Sequence, residues 1–260
     1  MRAIFMGKHK RSAVGALEYL VENGVEVTAV VAPEKTGDAI AEQRLDRVAE
    51  RHGLALATDD DLYAGHIDVD DIDLVLSFLF WKRIRAPLIA LGRIGCLNFH
   101  PAPLPDMRGL GGYNVAILED FPDWGVSAHF VDEGFDTGDL VRVERFPIDR
   151  GRETALSLDV RSQQHLLRVF REVVDLALGG ADLPRAPQGR GRYVTREELE
   201  LGRRIDPADP PELTERRMRA YWYPPYDGAT VDLGGRALTV VNRELLEQAA
   251  AANRRAGLVP

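Results

Sequence analysis

The chain has 260 residues, 45% hydrophobic and 28% charged, enough to bury a full core, which excludes disordered and fibrous classes. Its one cysteine, Cys96, leaves no intramolecular disulfide and no cysteine-based metal cluster, so a metal site would need histidines and carboxylates. A formal net charge of −8 lacks the positive field of a phosphate-backbone binder, so a large nucleic acid is disfavoured as a partner, although arginines gather at Arg190 and Arg192, at Arg203 and Arg204, and at Arg216, Arg217 and Arg219.

The opening run MRAIFMG reads as a strand rather than a leader, and no 18-residue apolar stretch follows, so a cytoplasmic setting without membrane contact is expected. A helix is expected over 12–23, stopped by Asn23-Gly24, then a continuously apolar strand over 25–32, as a sheet buried on both faces requires. A helix over 38–52, a short strand at 54–58 and strands at 74–80 and 95–100 follow, with Pro87 opening a short helix between the last two. The glycine-rich stretch DMRGLGGYN reads as a ligand-facing loop leading into a helix over 113–120. Strands at 125–131 and 140–148 flank the turn-rich DEGFDTGD, and an amphipathic helix over 154–178 ends at Gly179-Gly180. Proline and glycine over 181–192 mark a linker. Beyond it come a charged helix over 213–220, the aromatic-proline turn YWYPPYDG, a hairpin turned by Gly234-Gly235, and a short exposed helix from 244.

This alternation predicts an α/β fold: a doubly wound, mostly parallel sheet with a small C-terminal β-containing subdomain. The expected division is a catalytic domain over 1–180, a linker over 181–192 and a small subdomain over 193–260.

Asn98 and His100 sit two apart at the end of a strand, so their side chains share a face, and Pro101 ends the strand just beyond them. In open α/β sheets ligands bind at that carboxyl edge. A turn-capping asparagine and a hydrogen-bonded rim histidine explain the strand equally well. Asp136 lies in a loop with Gly134, Thr137 and Gly138, where an aspartate is ordinarily a turn residue; beside an imidazole it would favour the protonated ring and orient it.

The stretches LNFHPAPLPDMRG (97–109) and WGVSAHFVDEGFDTGDLV (124–141) resemble two long motifs of the 10-formyltetrahydrofolate-dependent formyltransferases, in the right order and at the right separation. The resemblance covers residues 1–178 and continues more weakly through RRIDP and RAYWYPPYDGA. It implies a Rossmann-like formyltransferase fold and 10-formyltetrahydrofolate as donor, with no metal. The family's catalytic Asn, His and Asp fall on Asn98, His100 and Asp136. Asn98 and His100 are then expected to hold the oxyanion formed when an amine attacks the formyl carbon, while Asp136 keeps His100 charged. The folate pocket is expected at Phe78, Leu79, Phe80, Trp81 and Ile84, with the backbone of Asp132, Glu133 and Gly134 facing the pterin.

Within the family, the wording PAPLPDMRGLGGYN, the acidic balance and the short stretch after residue 192 resemble the N-formyltransferases of nucleotide-linked amino sugars more than the methionyl-tRNA formyltransferases. That reading places Met107, Arg108, Tyr113 and Asn114 on the substrate side, leaves a basic loop at 8–11 as a diphosphate contact or a solvated surface, and allows a homodimer. A formyltetrahydrofolate hydrolase, a non-catalytic folate or nucleotide sensor, and a metal hydrolase built on His100, His129 and Asp136 are the competing readings.

Overall fold

The structure is a computed structural model, and it describes residues 1–34, 41–67 and 69–255. Its eleven described strands are β1 (Arg2–Gly7), β2 (Glu26–Val31), β3 (Leu56–Ala57), β4 (Leu74–Phe78), β5 (Gly95–His100), β6 (Met107–Gly109), β7 (Asp123–Phe130), β8 (Leu140–Pro147), β9 (Arg192–Val194), β10 (Thr230–Leu233) and β11 (Arg236–Thr239). The helices are α1 (Arg11–Glu22), α2 (Leu45–His52), α3 (Asp59–Ala64), α4 (Leu88–Leu91), α5 (Gly112–Leu118), α6 (Ala155–Leu178), α7 (Arg196–Gly202), α8 (Pro211–Ala220) and α9 (Arg243–Arg255).

Seven strands form one sheet in the order β3-β2-β1-β4-β5-β7-β8. The pairs from β3 to β5 are parallel, and β7 joins β5 antiparallel. The sheet is the mostly parallel, Rossmann-like one that the alternation predicts. Two short helices escape the sequence reading. α3 is announced by a capping box in which Thr58 and Asp61 satisfy each other's backbone N–H groups, and α7 by Thr195, whose hydroxyl accepts from Glu198 N. Of the helix expected over 38–52, residues 38–40 lie outside the described ones, residues 41–43 form a single 3-10 turn, Arg44 is extended, and α2 begins only at Leu45.

The chain divides into two compact units, one of 1–108, 125–145 and 162–192, the other of 109–124, 146–161 and 193–260. In the first, alternation along the strands builds two apolar layers. Ile4, Met6, Ala29, Val31, Val75 and Cys96 pack with Leu62 and Leu88 on one face. On the other, Phe5, Phe78, Phe99 and Phe170 form a cluster with ring centroids 4.8–6.5 Å apart, in edge-on and stacked pairs. On that face α1 packs against α6: Ser12 donates to Gln163 at 2.9 Å, and Gly15 leaves only 3.1 Å between a would-be Cβ and Leu167. In the second unit α5 packs against α8, with Asn114 donating to the Ala220 carbonyl at 2.7 Å, and β10 and β11 form the expected hairpin around Gly234 and Gly235, both with positive φ. No helix among the described residues is long and apolar enough to cross a membrane.

Candidate active site

The face that carries Val75 and Cys96 changes character at the carboxyl ends of its strands. Register places Ser77 of β4 beside Asn98 of β5, and Asn98 opposite His129 of β7, so three polar side chains form one row across three strands. Ser77 Oγ donates to Asn98 Oδ1 at 2.7 Å, and Asn98 Nδ2 lies 3.1 Å from His129 Nε2. His129 Nδ1 lies 2.7 Å from the Phe130 carbonyl, which can only accept, so that nitrogen carries the ring proton and Nε2 is left to accept from Asn98. His129 Nε2 can only accept, so it fixes the orientation of the Asn98 amide, and the Ser77 hydroxyl, able to donate or accept, donates to the oxygen end.

Asp136 closes the site from the loop between β7 and β8. Its Oδ1 stands 3.5 Å from Asn98 Nδ2 and 3.7 Å from His129 Nε2, and its Oδ2 stands 3.8 Å from His100 Nδ1. The loop is shaped by Asp132, whose Oδ1 accepts from Gly134 N at 3.0 Å and from Thr137 Oγ1 at 2.7 Å. Asp136 itself takes a left-handed backbone with φ 56°, and Leu79, at the end of β4, does the same with φ 57°. Such conformations cost side-chain-bearing residues on the order of 1–3 kcal/mol and concentrate where a site demands them.

His100 is buried, with 9% of its surface exposed, and its Nε2 has no hydrogen-bond partner. Burial lowers its pKa below the ordinary histidine value, with the Asp136 carboxylate pulling the other way. Burial thus works against the expectation that Asp136 keeps His100 charged and favours the neutral ring, with the carboxylate 3.8 Å away pulling the other way. Facing a carboxylate, Nδ1 takes the proton and Nε2 presents a lone pair. Asn98, His100 and Asp136 thus come together around one buried acceptor and one fixed amide donor.

The other expected site residues separate into groups. Phe78 is fully buried in the ring cluster and Ile84 in the opposite apolar layer, so their side chains are core and support the site from behind. Leu79 and Phe80 are partly buried, and Trp81 is 40% exposed with its ring 4.5 Å from that of Phe80. Asp132, Glu133 and Gly134 are exposed at the loop. Met107 is buried, and Arg108 is held by Gln188 and Gly189. Tyr113 and Asn114 belong to the second unit, where the Tyr113 ring lies 5.7 Å from that of Trp124 and Asn114 caps the Ala220 carbonyl. Ser77 and the positioning part of His129 went unread in the sequence. The signal for Ser77 was available: a serine in an otherwise apolar strand, one residue before its carboxyl end. Both ring nitrogens of His129 are committed, and among the described residues no group of three or more His, Cys, Asp or Glu is arranged to hold a metal ion.

Residues 12–174 match the family model described as formyl transferase. A methionyl-tRNA formyltransferase of Halorhodospira halophila is 31% identical over 231 residues, covering 85% of this chain and 73% of that protein. A GDP-perosamine N-formyltransferase of Brucella melitensis is 31% identical over 170 residues, 65% of this chain and 64% of the relative, so the match spans just under two thirds of it. The fold is that of an N-formyltransferase from Helicobacter canadensis solved with folinic acid and dTDP-3-aminofucose, at a TM-score of 0.74 and 19% identity over 92% of this chain and 86% of that one.

Proposed function

The chain belongs to the formyl transferase family and is a folate-dependent enzyme of that class, and from that premise we propose that it moves the formyl group of 10-formyltetrahydrofolate onto the amine of a nucleotide-linked amino sugar. The observation that carries the chemistry is the pairing of an unpartnered, buried His100 Nε2 with the fixed donor end of Asn98. An acyl transfer to an amine needs a base for the amine proton and a donor for the carbonyl oxygen, and these two groups fit that need. The folate donor, when bound, supplies an activated formyl carbonyl.

This chain's residues then divide the work. Neutral His100 accepts the proton of the attacking amine at Nε2. Its ring becomes positive at that moment, and the Asp136 carboxylate facing Nδ1 stabilises the new charge without taking the proton. His100 then gives the proton to the folate nitrogen, which leaves as its bond to the formyl carbon breaks. With the N–H that rests at 3.5 Å from Asp136 Oδ1, Asn98 Nδ2 donates to the oxygen on which negative charge grows, while its other N–H stays on His129 and Ser77 braces the oxygen end. The exposed Trp81 with Leu79 and Phe80, and the backbone of Asp132, Glu133 and Gly134, form the donor side of the site in this reading, and Met107 and Arg108 the loop on the acceptor side.

A nucleotide-linked sugar is favoured as acceptor by the Helicobacter canadensis protein's dTDP-3-aminofucose, by the perosamine relative, and by the net charge of −8, which suits a small anion held locally better than a tRNA. The methionyl-tRNA relative, matched over more of the chain, supports a second reading with charged initiator tRNA as acceptor. Purified protein with 10-formyltetrahydrofolate and a panel of nucleotide-linked 3- and 4-amino sugars, against charged tRNA, decides between them. Formylation of a sugar amine is expected. Formylation of the tRNA alone overturns the sugar assignment, and formate release without any amine points to a hydrolase.

A further inference from the structure

We propose that Gln188 is a positioning residue for transfer: its side-chain amide clasps the Asp136 loop to Arg108 and so holds the carboxylate at its working distance from His100. The inference rests on the active-site reading above and concerns a segment, 181–192, whose composition reads as a linker. That segment pairs with the start of β8, Leu140 and Ala186 exchanging backbone hydrogen bonds of 2.8 and 3.0 Å. Two residues further on, Gln188 Nε2 donates to the Gly138 carbonyl at 2.6 Å, and Gln188 Oε1 accepts from Arg108 Nη2 at 3.0 Å. The same Arg108 nitrogen donates to the Gly189 carbonyl at 2.9 Å. A guanidinium only donates and a carbonyl only accepts, so the amide has one possible orientation, with both ends used.

The place of the clasp matters. Gly138 is two residues from Asp136 and has no room to shift toward β7, since a Cβ there would lie 2.0 Å from the Phe130 carbonyl. The loop is anchored at its start by Asp132 and at its end by the bond from Phe130 N to the Asp139 carbonyl at 2.8 Å. Gln188 adds a further restraint, from outside the loop, two residues from Asp136 with its left-handed backbone. Arg108, in β6, gives Gln188 its fixed end. The two long motifs of the sequence are thereby tied through one side chain that belongs to neither.

The test uses the full chain with the acceptor that the wild type formylates. In Gln188→Glu the side chain keeps its shape and its bond to Arg108 but can no longer donate to Gly138; Gln188→Ala loses both arms. Both variants are expected to lower kcat by roughly tenfold to a hundredfold, with both KM values within about threefold of wild type and an unchanged melting temperature for Gln188→Glu. Hydrogen exchange over 132–139 is expected to rise in Gln188→Glu, a reading that needs no acceptor. A Gln188→Glu enzyme with wild-type kcat and wild-type exchange overturns the clasp, as does a loss confined to melting temperature. A wild type that transfers no formyl group to any amine would instead defeat the reading of the site, leaving the exchange measurement to judge the clasp.

Discussion

Asn98 and His129 face each other across antiparallel strands, Asn98 Nδ2 3.1 Å from His129 Nε2, with the histidine proton fixed on the far nitrogen by the Phe130 carbonyl. An amide left to itself turns its oxygen or its nitrogen toward substrate with similar ease. Here His129 decides that the nitrogen faces it and the carboxylate of Asp136, and the Ser77 hydroxyl braces the oxygen end.

Ser77→Ala removes the donor to Asn98 Oδ1 and leaves that end of the amide unbraced. We expect kcat to fall about tenfold, with a stability loss of about 1–3 kcal/mol, the usual cost of leaving a buried acceptor without its partner. His129→Leu leaves Asn98 Nδ2 and the Phe130 carbonyl without their partners, and should lower both kcat and stability, the latter by about 1–3 kcal/mol. Steady-state kinetics paired with urea unfolding read the two effects separately; a Ser77→Ala enzyme as fast as wild type would mean the amide is held some other way.

The pH profile carries a sign. With neutral His100 as the proposed base, activity is expected to be lost as pH falls through its pKa, and burial puts that pKa below the ordinary histidine value. Asp136 raises it and His129 lowers it, so Asp136→Asn should move the acid limb of kcat/KM further down in pH while cutting the rate severely, because the newly charged ring loses its counterion. His100→Ala should leave no measurable transfer. An acid limb in Asp136→Asn that moves upward would show that the carboxylate acts on another group.

Gly138→Ala tests how tightly the catalytic loop is packed. Its Cβ would meet the Phe130 carbonyl at 2.0 Å, and backbone cannot yield as a side-chain tip does. The loop must shift, with a cost of about 1–3 kcal/mol and a kcat loss beyond it. Melting temperature and single-turnover rate check both parts.

Phe78 and Trp81 should separate core from lining. Phe78→Leu is expected to lower the melting temperature with little change in KM for the folate donor, because its ring packs against Phe5, Phe99 and Phe170. Trp81→Ala, at a ring 40% exposed, should do the reverse, raising donor KM at constant stability. Equal effects from both would remove the distinction.

Much of this was legible before any coordinates. The apolar runs of β1, β2 and β4 and their spacing from the helices dictate a buried parallel sheet, since a strand hydrophobic on both faces has to be covered on both. The two-residue spacing of Asn98 and His100 ahead of Pro101 puts both at the carboxyl edge, because side chains alternate along a strand and proline ends it. The long motifs supplied Asp136 and the formyl group. Short elements were harder: α3 and α7 are held by threonine caps and have too few turns to reveal an apolar period.

What periodicity cannot carry is a relation between strands distant in sequence. That Ser77, Asn98 and His129 stand in one row follows from the register of β4, β5 and β7, and register is fixed by which faces are buried once the sheet assembles. The charge of His100 depends on the water removed around it, which is a property of the whole packed unit, so a carboxylate partner read from the motif alone leaves out the burial that pulls the other way. Gln188 had no sequence signal as a site residue for the same reason: its two partners, Arg108 and Gly138, are 80 and 50 residues away along the chain. Residue types and local spacing settled which chemistry is present; only the folded sheet decided how the amide, the two imidazoles and the carboxylate face one another, because those orientations are set by long-range contacts that form only when the layers close.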